Sequence, residues 1–531
     1  MRLEWENRTV YLILLLSVVG TLTLLFATKH GIGLAVDSLH YVGASRSLLS
    51  GHGLTRISYT GKLIPMVDWP PLFPVVLAVL GALGIDVLEG ARWLNAILFG
   101  ANIVLVGIVI YRQTDNSVWA SMFGSILIFT SVSLLRVHSF ALTEPAFIFF
   151  TLLGLSLLAA YIVKPKAALL IISSIMIALA FLTKYLGAVS VATGCIGLLA
   201  LSKKRYYARL ADCTTFAVIS SLPMALWVVR NRVVADGASD SRMSFHPLNL
   251  NHVTDGLRTV SLWILPERTP DWIMMIVPMA FTGLLALVAL LLQHRRQPNV
   301  NDSLNPKPKL HPLLVIFILI HLLALAVSIS FVSIDISFSA RYLSPVFVSV
   351  VILVTCLVYE TLRFTKEIRS LQIVLISLCV GFAGYNLLRD VVVVIATSHD
   401  GQGYASNSWK QSETLRMVSA LPADVRIYSN GYNVIYYLTG RPAFRIPAKY
   451  DESNGLLNNK YQSELASTKE HFGSQRAVLV YFKDNYRPSL PSEKELKDSL
   501  PLRLIDNEVD GSIYEIEKEP RERAPKLIAL P

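Results

Sequence analysis

Asp37, in "GIGLAVDSLHYVGASRSLLSGHGL", and Glu144, in "RVHSFALTEPAFIFF", are isolated carboxylates beside long apolar runs. A carboxylate at a membrane boundary, under a partly apolar roof, would have its pKa raised by desolvation. That suits a general base, which works best when its pKa approaches ambient pH. A helix over "DSLHYVGASRSLLS" puts Asp37 and Tyr41, four apart, on one face, with Leu39, Val42, Leu48 and Leu49 towards lipid or core. Bland roles are open to both acids: Asp37 as a helix N-cap, and Glu144, next to Pro145, as a charge favoured at a helix start. Two such charges at the outer ends of early spans argue together for a site, because charges near a membrane interior usually have a function. His40 and Tyr41 are its expected neighbours.

Cations that could hold an anion stand at comparable places. Lys184 lies in the turn of "AFLTKYLGA", Arg341 precedes a span in "SARYLSP", and Arg230 and Arg232 follow one in "VVRNR". Each alone is explained by snorkelling, but a bound phosphate would need one or two of them. In "VDWPPLFPVVLAVLG", Asp68 again sets an acid at the membrane edge. There Trp69 takes an interfacial position and two prolines make a rigid approach to a short helix.

Composition supplies the elements that must position these residues. The 531-residue chain is 53% hydrophobic, 16% charged and carries a formal charge of +11, with a mean hydropathy of +0.51. Soluble domains are closer to a quarter charged, so the chain reads as a polytopic membrane protein in contact with lipid. Its basic residues sit in short loops and form no stripe, which argues against nucleic-acid binding. Cys195, Cys213, Cys356 and Cys379 fall in or beside apolar runs without metal-ligand spacing and read as packing residues.

About eleven runs approach the roughly 20 residues that a spanning helix needs: 10–28, 93–111, 117–135, 146–163, 167–183, 186–201, 211–229, 272–292, 311–331, 342–360 and 371–396. The first is too long for a signal-peptide core and reads as a transmembrane helix. The stretch 70–85 is short and reads either as a span or as an interfacial helix. If it does not cross and the N-terminus is cytoplasmic, the basic clusters near 164–166, 203–209, 294–309 and 363–369 all face the cytoplasm. That topology puts Asp37, Glu144, Lys184 and Arg341 on the outer face.

The fold class is therefore mainly α: a transmembrane helical bundle with interfacial helices over 1–396, then a small extracytoplasmic α/β domain over 397–531. In that domain "VRIYSN", "GYNVIYYLTG", "AVLVYF" and "GSIYEIE" read as strands with an intervening helix. Phosphate loops, dinucleotide glycine fingerprints, nucleophile elbows, His-Glu-x-x-His and Asp-x-Asp pairs are all missing from the sequence. A nucleotide substrate thus has no visible home. The sequence singles out no cofactor; a divalent metal ion is allowed, with Asp37 and Glu144 as candidate ligands.

Taken in order, "VDSLHYVGASRSLLSGHGL", "WPPLFPVVLAVLG", "FALTEPAFIFF", "LTKYLG" and "RYLSPVF" make the chain resemble, over roughly 1–360, the GT-C superfamily of integral membrane glycosyltransferases. The closest branch is that of the protein O-mannosyltransferases and aminoarabinose-transferase-like enzymes. The resemblance implies transfer of a sugar, usually with inversion, from a polyprenyl-phosphate donor to a hydroxyl of a glycan, lipid or protein, in the inner or plasma membrane. It implies Asp37 as the first-loop acid that deprotonates the acceptor, and Glu144 as the second-loop acid that orients the acceptor or binds a metal. Lys184 and Arg341 match basic positions near the lipid phosphate, and Arg230 is a further candidate there. The aminoarabinose branch reads acid–Lys–Pro where this chain reads Asp68-Trp69-Pro70, a departure that counts against that branch's substrate. A transporter or flippase for a lipid-linked substrate is the alternative.

Overall fold

The computed structural model describes residues 2–58, 62–234, 245, 247–295, 310–331, 336–365, 368–451, 456–474, 476–485, 487 and 489–516. The chain divides into two compact units: Met1–Thr55 with Pro65–Ser406, and Arg56–Ile64 with Asn407–Pro531.

The first unit is helical. Its elements are α1 (Arg2–Ala27), α2 (Val36–Leu49), α3 (Leu72–Ala82), α4 (Val87–Gln113), α5 (Val118–Phe129), α6 (Val132–His138), α7 (Glu144–Val163) and α8 (Ala167–Thr183). They continue with α9 (Gly187–Leu201), α10 (Tyr206–Val234), α11 (Leu250–Ser261), α12 (Asp271–Arg295), α13 (Leu310–Phe331), α14 (Ala340–Phe364) and α15 (Arg369–Asp400). Between α2 and α3 the chain forms a two-stranded ribbon, β1 (Thr55–Ile57) and β2 (Leu63–Pro65), of which Arg56–Ile64 belongs to the second unit. Ten of the eleven expected spans fall on single helices, and 117–135 is divided between α5 and α6. Among the described residues eight helices are long and apolar enough to cross a membrane, or nine if the bent α5–α6 pair counts as one. α3, α8 and α9 are shorter; at about 1.5 Å per residue the 11 residues of α3 fall well short of the hydrocarbon thickness.

Phe99, Ile103, Leu155, Leu158, Phe216 and Phe317 are buried in a common core of the bundle. Leu15, Leu22, Leu287 and Val392 face outward; so continuous an apolar exterior would be a liability in water and suits lipid. The 58° bend between α5 and α6 has a local cause. Thr130 turns its hydroxyl back to Ile126 O, and Ser131 caps the next helix by accepting from Leu134 N. The bend delivers the short α6 and then the loop that leads to Glu144.

The second unit holds a five-stranded sheet in the order β4-β3-β5-β7-β6. β3 (Arg426–Ser429) runs parallel to β4 (Ala443–Arg445) and β5 (Ala477–Phe482), while β7 (Gly511–Ile516) runs antiparallel to β5 and β6 (Leu502–Asn507). One expected strand is not a strand: Tyr432–Thr439 is a helix, closed by Gly440 at φ 71°, whose N–H reaches Tyr436 O. The left-handed cap available to Gly440 and a helical apolar stripe won over the aromatic and β-branched composition.

Candidate active site

Four chain segments deliver the site. Asp37 is the second residue of α2, Glu144 the first of α7 and Arg341 the second of α14, and Lys184 occupies the turn between α8 and α9. Asp37 is therefore not the N-cap of its helix. Ala35 takes that position, and Ser38 Oγ accepts from the Ala35 N–H. The Asp37 carboxylate is thus free to point away from its own helix end.

Arg341 joins the two acids. Its Nη1 donates to Asp37 Oδ2 at 2.6 Å and its Nε to Glu144 Oε1 at 2.5 Å. Lys184 Nζ donates to the same Glu144 oxygen at 2.5 Å. Glu144 is fully buried, whereas the Asp37 side chain is 25% exposed. A buried carboxylate is tolerable only with such partners, and two cations against two acids leave the cluster electrically balanced. Tyr342 underlies both cations, its ring 4.4 Å from Lys184 Nζ and 5.5 Å from the Arg341 guanidinium.

Trp69 supplies the remaining wall. Its indole N–H donates to Asp37 Oδ1 at 3.2 Å, and its ring stacks on His40 with centroids 4.3 Å apart. In place of the expected apolar roof, Asp37 thus meets a guanidinium and an indole N–H. Tyr41 is buried beside it, edge-on to Phe73. Burial, and then the Asp37 charge, hold its phenol well above the ordinary tyrosine value, so it stays a neutral hydroxyl.

Arg230 is engaged elsewhere. Its guanidinium donates to Met66 O at 2.9 Å and to Leu54 O at 3.5 Å, and lies 4.6 Å from the Trp227 ring. Asn231 Nδ2 and Tyr185 OH both donate to Val67 O at 3.1 Å. Together they fasten the segment that carries Asp68 and Trp69, a scaffolding task where phosphate binding was expected.

The backbone zips the two acid loops together. Gly33 forms a parallel bridge with Phe140: Gly33 N donates to Ser139 O at 2.8 Å, and Ala141 N to Gly33 O at 2.9 Å. Leu34 bridges Gly403 on its other side, with Tyr404 N donating to Leu34 O at 2.9 Å. A Cβ on Gly33 would stand 3.0 Å from both the Phe140 ring and Ser139 O, so glycine permits the approach. None of this was visible in the sequence, although "GIG" before an acid is a hint of close backbone contact.

The metal reading does not fit these residues. Asp37 and Glu144 already share a guanidinium, and among the described residues no group of three or more His, Cys, Asp or Glu is arranged to hold an ion.

Comparison with known proteins adds a class to this geometry. A family profile described as dolichyl-phosphate-mannose-protein mannosyltransferase matches residues 86–230. No curated protein matches the chain by sequence. Among solved structures, the oligosaccharyltransferase of Archaeoglobus fulgidus is 12% identical with a TM-score of 0.53, covering 96% of this chain and 74% of that one. The arabinofuranosyltransferase AftD from Mycobacteria is 12% identical with a TM-score of 0.52, over 96% of this chain and 40% of that one. ArnT from Cupriavidus metallidurans is 16% identical with a TM-score of 0.48, over 94% and 97% of the two chains. The chain carries the fold of the GT-C superfamily of integral membrane glycosyltransferases. Over residues 86–230 its resemblance is to the mannosyltransferase profile.

Proposed function

We propose that the protein transfers a sugar from a polyprenyl-phosphate donor to a hydroxyl acceptor at the outer membrane face, with inversion. The observation that carries this reading is the convergence of Asp37, Glu144, Lys184 and Arg341, from four separate segments, on one guanidinium-centred cluster. The same archaeal oligosaccharyltransferase, at a TM-score of 0.50, is known in complex with a dolichol-phosphate, which supports a lipid phosphate as the donor's carrier here.

Asp37 takes the proton of the attacking hydroxyl, whose oxygen bonds to the anomeric carbon as the bond from that carbon to the phosphate oxygen breaks. The electron pair leaves with the polyprenyl phosphate, a leaving group good enough to need no general acid. Lys184 and Arg341 neutralise the departing phosphate, and Glu144 holds both cations and orients the acceptor. In the absence of substrate these cations are held by the two acids. An arriving phosphate competes for them and loosens Arg341 from Asp37, so the base is released as the donor docks. Trp69, Asp68, His40 and Tyr41 shape the sugar pocket. The second unit forms the extracytoplasmic domain, and the basic loops face the cytoplasm. A transporter would place its charges near mid-depth on broken helices; here they stand at helix ends, which favours the enzyme.

The test is purified protein offered radiolabelled polyprenyl-phosphate sugars with a panel of hydroxyl acceptors. Label should move to an acceptor with wild type and stay on the lipid with Asp37→Asn. Undiminished transfer by the variant would remove Asp37 as the base.

A further inference from the structure

α4 is an apolar span that carries two buried amides, Asn95 and Asn102, seven residues apart. That spacing places them on one face of the helix, about 10 Å apart along its axis. Asn95 Nδ2 donates to Phe140 O at 2.7 Å and to Leu142 O at 3.5 Å. Asn102 Nδ2 donates to Pro145 O at 3.2 Å and pairs with His138 Nε2 at 3.1 Å. The loop between α6 and α7 is thus gripped at both ends from one helix.

The chemistry of the lower grip is fixed. His138 Nδ1 lies 2.8 Å from Leu134 O, which can only accept, so Nδ1 carries the proton. Nε2 is then bare and can only accept, and the Asn102 NH2 supplies both its own bonds, one to the ring and one to the carbonyl. His138 is 1% exposed, Asn102 1% and Asn95 0%. Polar groups buried this deeply in a spanning helix are costly unless they have a task. The task at hand is the loop whose last residue is followed by Glu144.

We infer that Asn95, Asn102 and His138 are positioning residues that hold the Glu144 loop in register, acting on transfer through Glu144 and without touching substrate. The inference rests on the transferase reading for its kinetic part only. Removing the amides frees the loop to slide, and misplacement by about 1 Å at a reacting centre costs on the order of 100-fold in rate.

The experiment uses the full chain in lipid nanodiscs, comparing wild type with Asn102→Leu, His138→Leu and His138→Gln. Gln can present its carbonyl oxygen to Asn102 where Nε2 stood. Amide hydrogen exchange is read on peptides spanning 139–145, alongside kcat and KM for the polyprenyl-phosphate sugar. Asn102→Leu and His138→Leu should speed exchange there and lower kcat by about tenfold or more, with KM within about twofold, and His138→Gln should keep both near wild type. Unchanged exchange in Asn102→Leu, or identical behaviour of His138→Leu and His138→Gln, overturns the clamp. Asn95→Leu repeats the measurement at the upper grip if Asn102→Leu does not fold. A wild type inert with every donor would sink the transferase reading, while the exchange contrast still decides the clamp.

Discussion

Arg341 reaches Asp37 and Glu144 at once, with its Nη1 2.6 Å from one carboxylate and its Nε 2.5 Å from the other. Residues 304 and 197 positions away in the chain are joined by one planar group. A lysine in its place would offer its donors from a single atom and lose the planar fork that spans the two acids. Arg341→Lys should therefore lose most transfer activity, and should also loosen the fold, because Glu144 is fully buried. Breaking a buried pair typically costs about 3–5 kcal/mol, reduced here because Lys184 remains on Glu144. Thermal unfolding of the variant against wild type measures the second effect; equal midpoints would refute it.

Asp37→Asn keeps the shape of the side chain and its place beside the Trp69 N–H, but cannot take a proton. General-base removal lowers turnover by about 10²- to 10⁴-fold, with little change in the amount of folded protein. A single-turnover assay with saturating acceptor reports this directly.

Lys184 and Arg230 should separate. Lys184→Ala removes a cation from the cluster, whereas Arg230→Ala removes a brace from Leu54 and Met66. Binding of polyprenyl phosphate should weaken by about tenfold in the first variant, the worth of one charge-assisted contact, and by much less in the second. The second should instead expose the chain at Leu54 and Met66 to protease. The reverse pattern would restore Arg230 as a phosphate ligand.

Gly33→Ala introduces a methyl 3.0 Å from the Phe140 ring and Ser139 O. The acid loops must then part by a few tenths of an ångström, and activity should fall by about three- to tenfold. Phe140→Leu, added to Gly33→Ala, relieves the ring contact and should return part of the loss. Failure of the double variant to improve on the single one would place the strain at the Ser139 carbonyl.

The helices of the bundle were legible because most are continuous apolar runs, and hydropathy needs no knowledge of packing; the number that cross was not, since α8 and α9 are short and the run 117–135 is broken between α5 and α6. Asp37, Glu144, Lys184 and Arg341 were legible as charges stranded at the ends of those runs. Their pairing was not: whether Arg341 turns towards lipid, phosphate or acid depends on segments far away in sequence. Arg230 shows the limit, since its charge marked it as an anion ligand while its contacts in the structure, to Met66 O, Leu54 O and Asn231 Oδ1, are ones that no sequence pattern displays. The Tyr432–Thr439 helix was misread for a related reason. Short apolar segments satisfy strand and helix periods alike, and Gly440 settles the matter only once its left-handed conformation is known.

The bridge between Gly33 and Phe140 has a consequence for insertions and deletions. Asp37 stands four residues after Gly33, and Glu144 stands four after Phe140, so both acids lie at the same chain distance from one shared parallel pairing. The two loops behave as a matched gauge. Lengthening either by one residue would offset one acid from the other while leaving every transmembrane helix intact. Loop length in these two stretches, ordinarily the freest quantity in a membrane protein, is here part of what brings the two acids to one guanidinium.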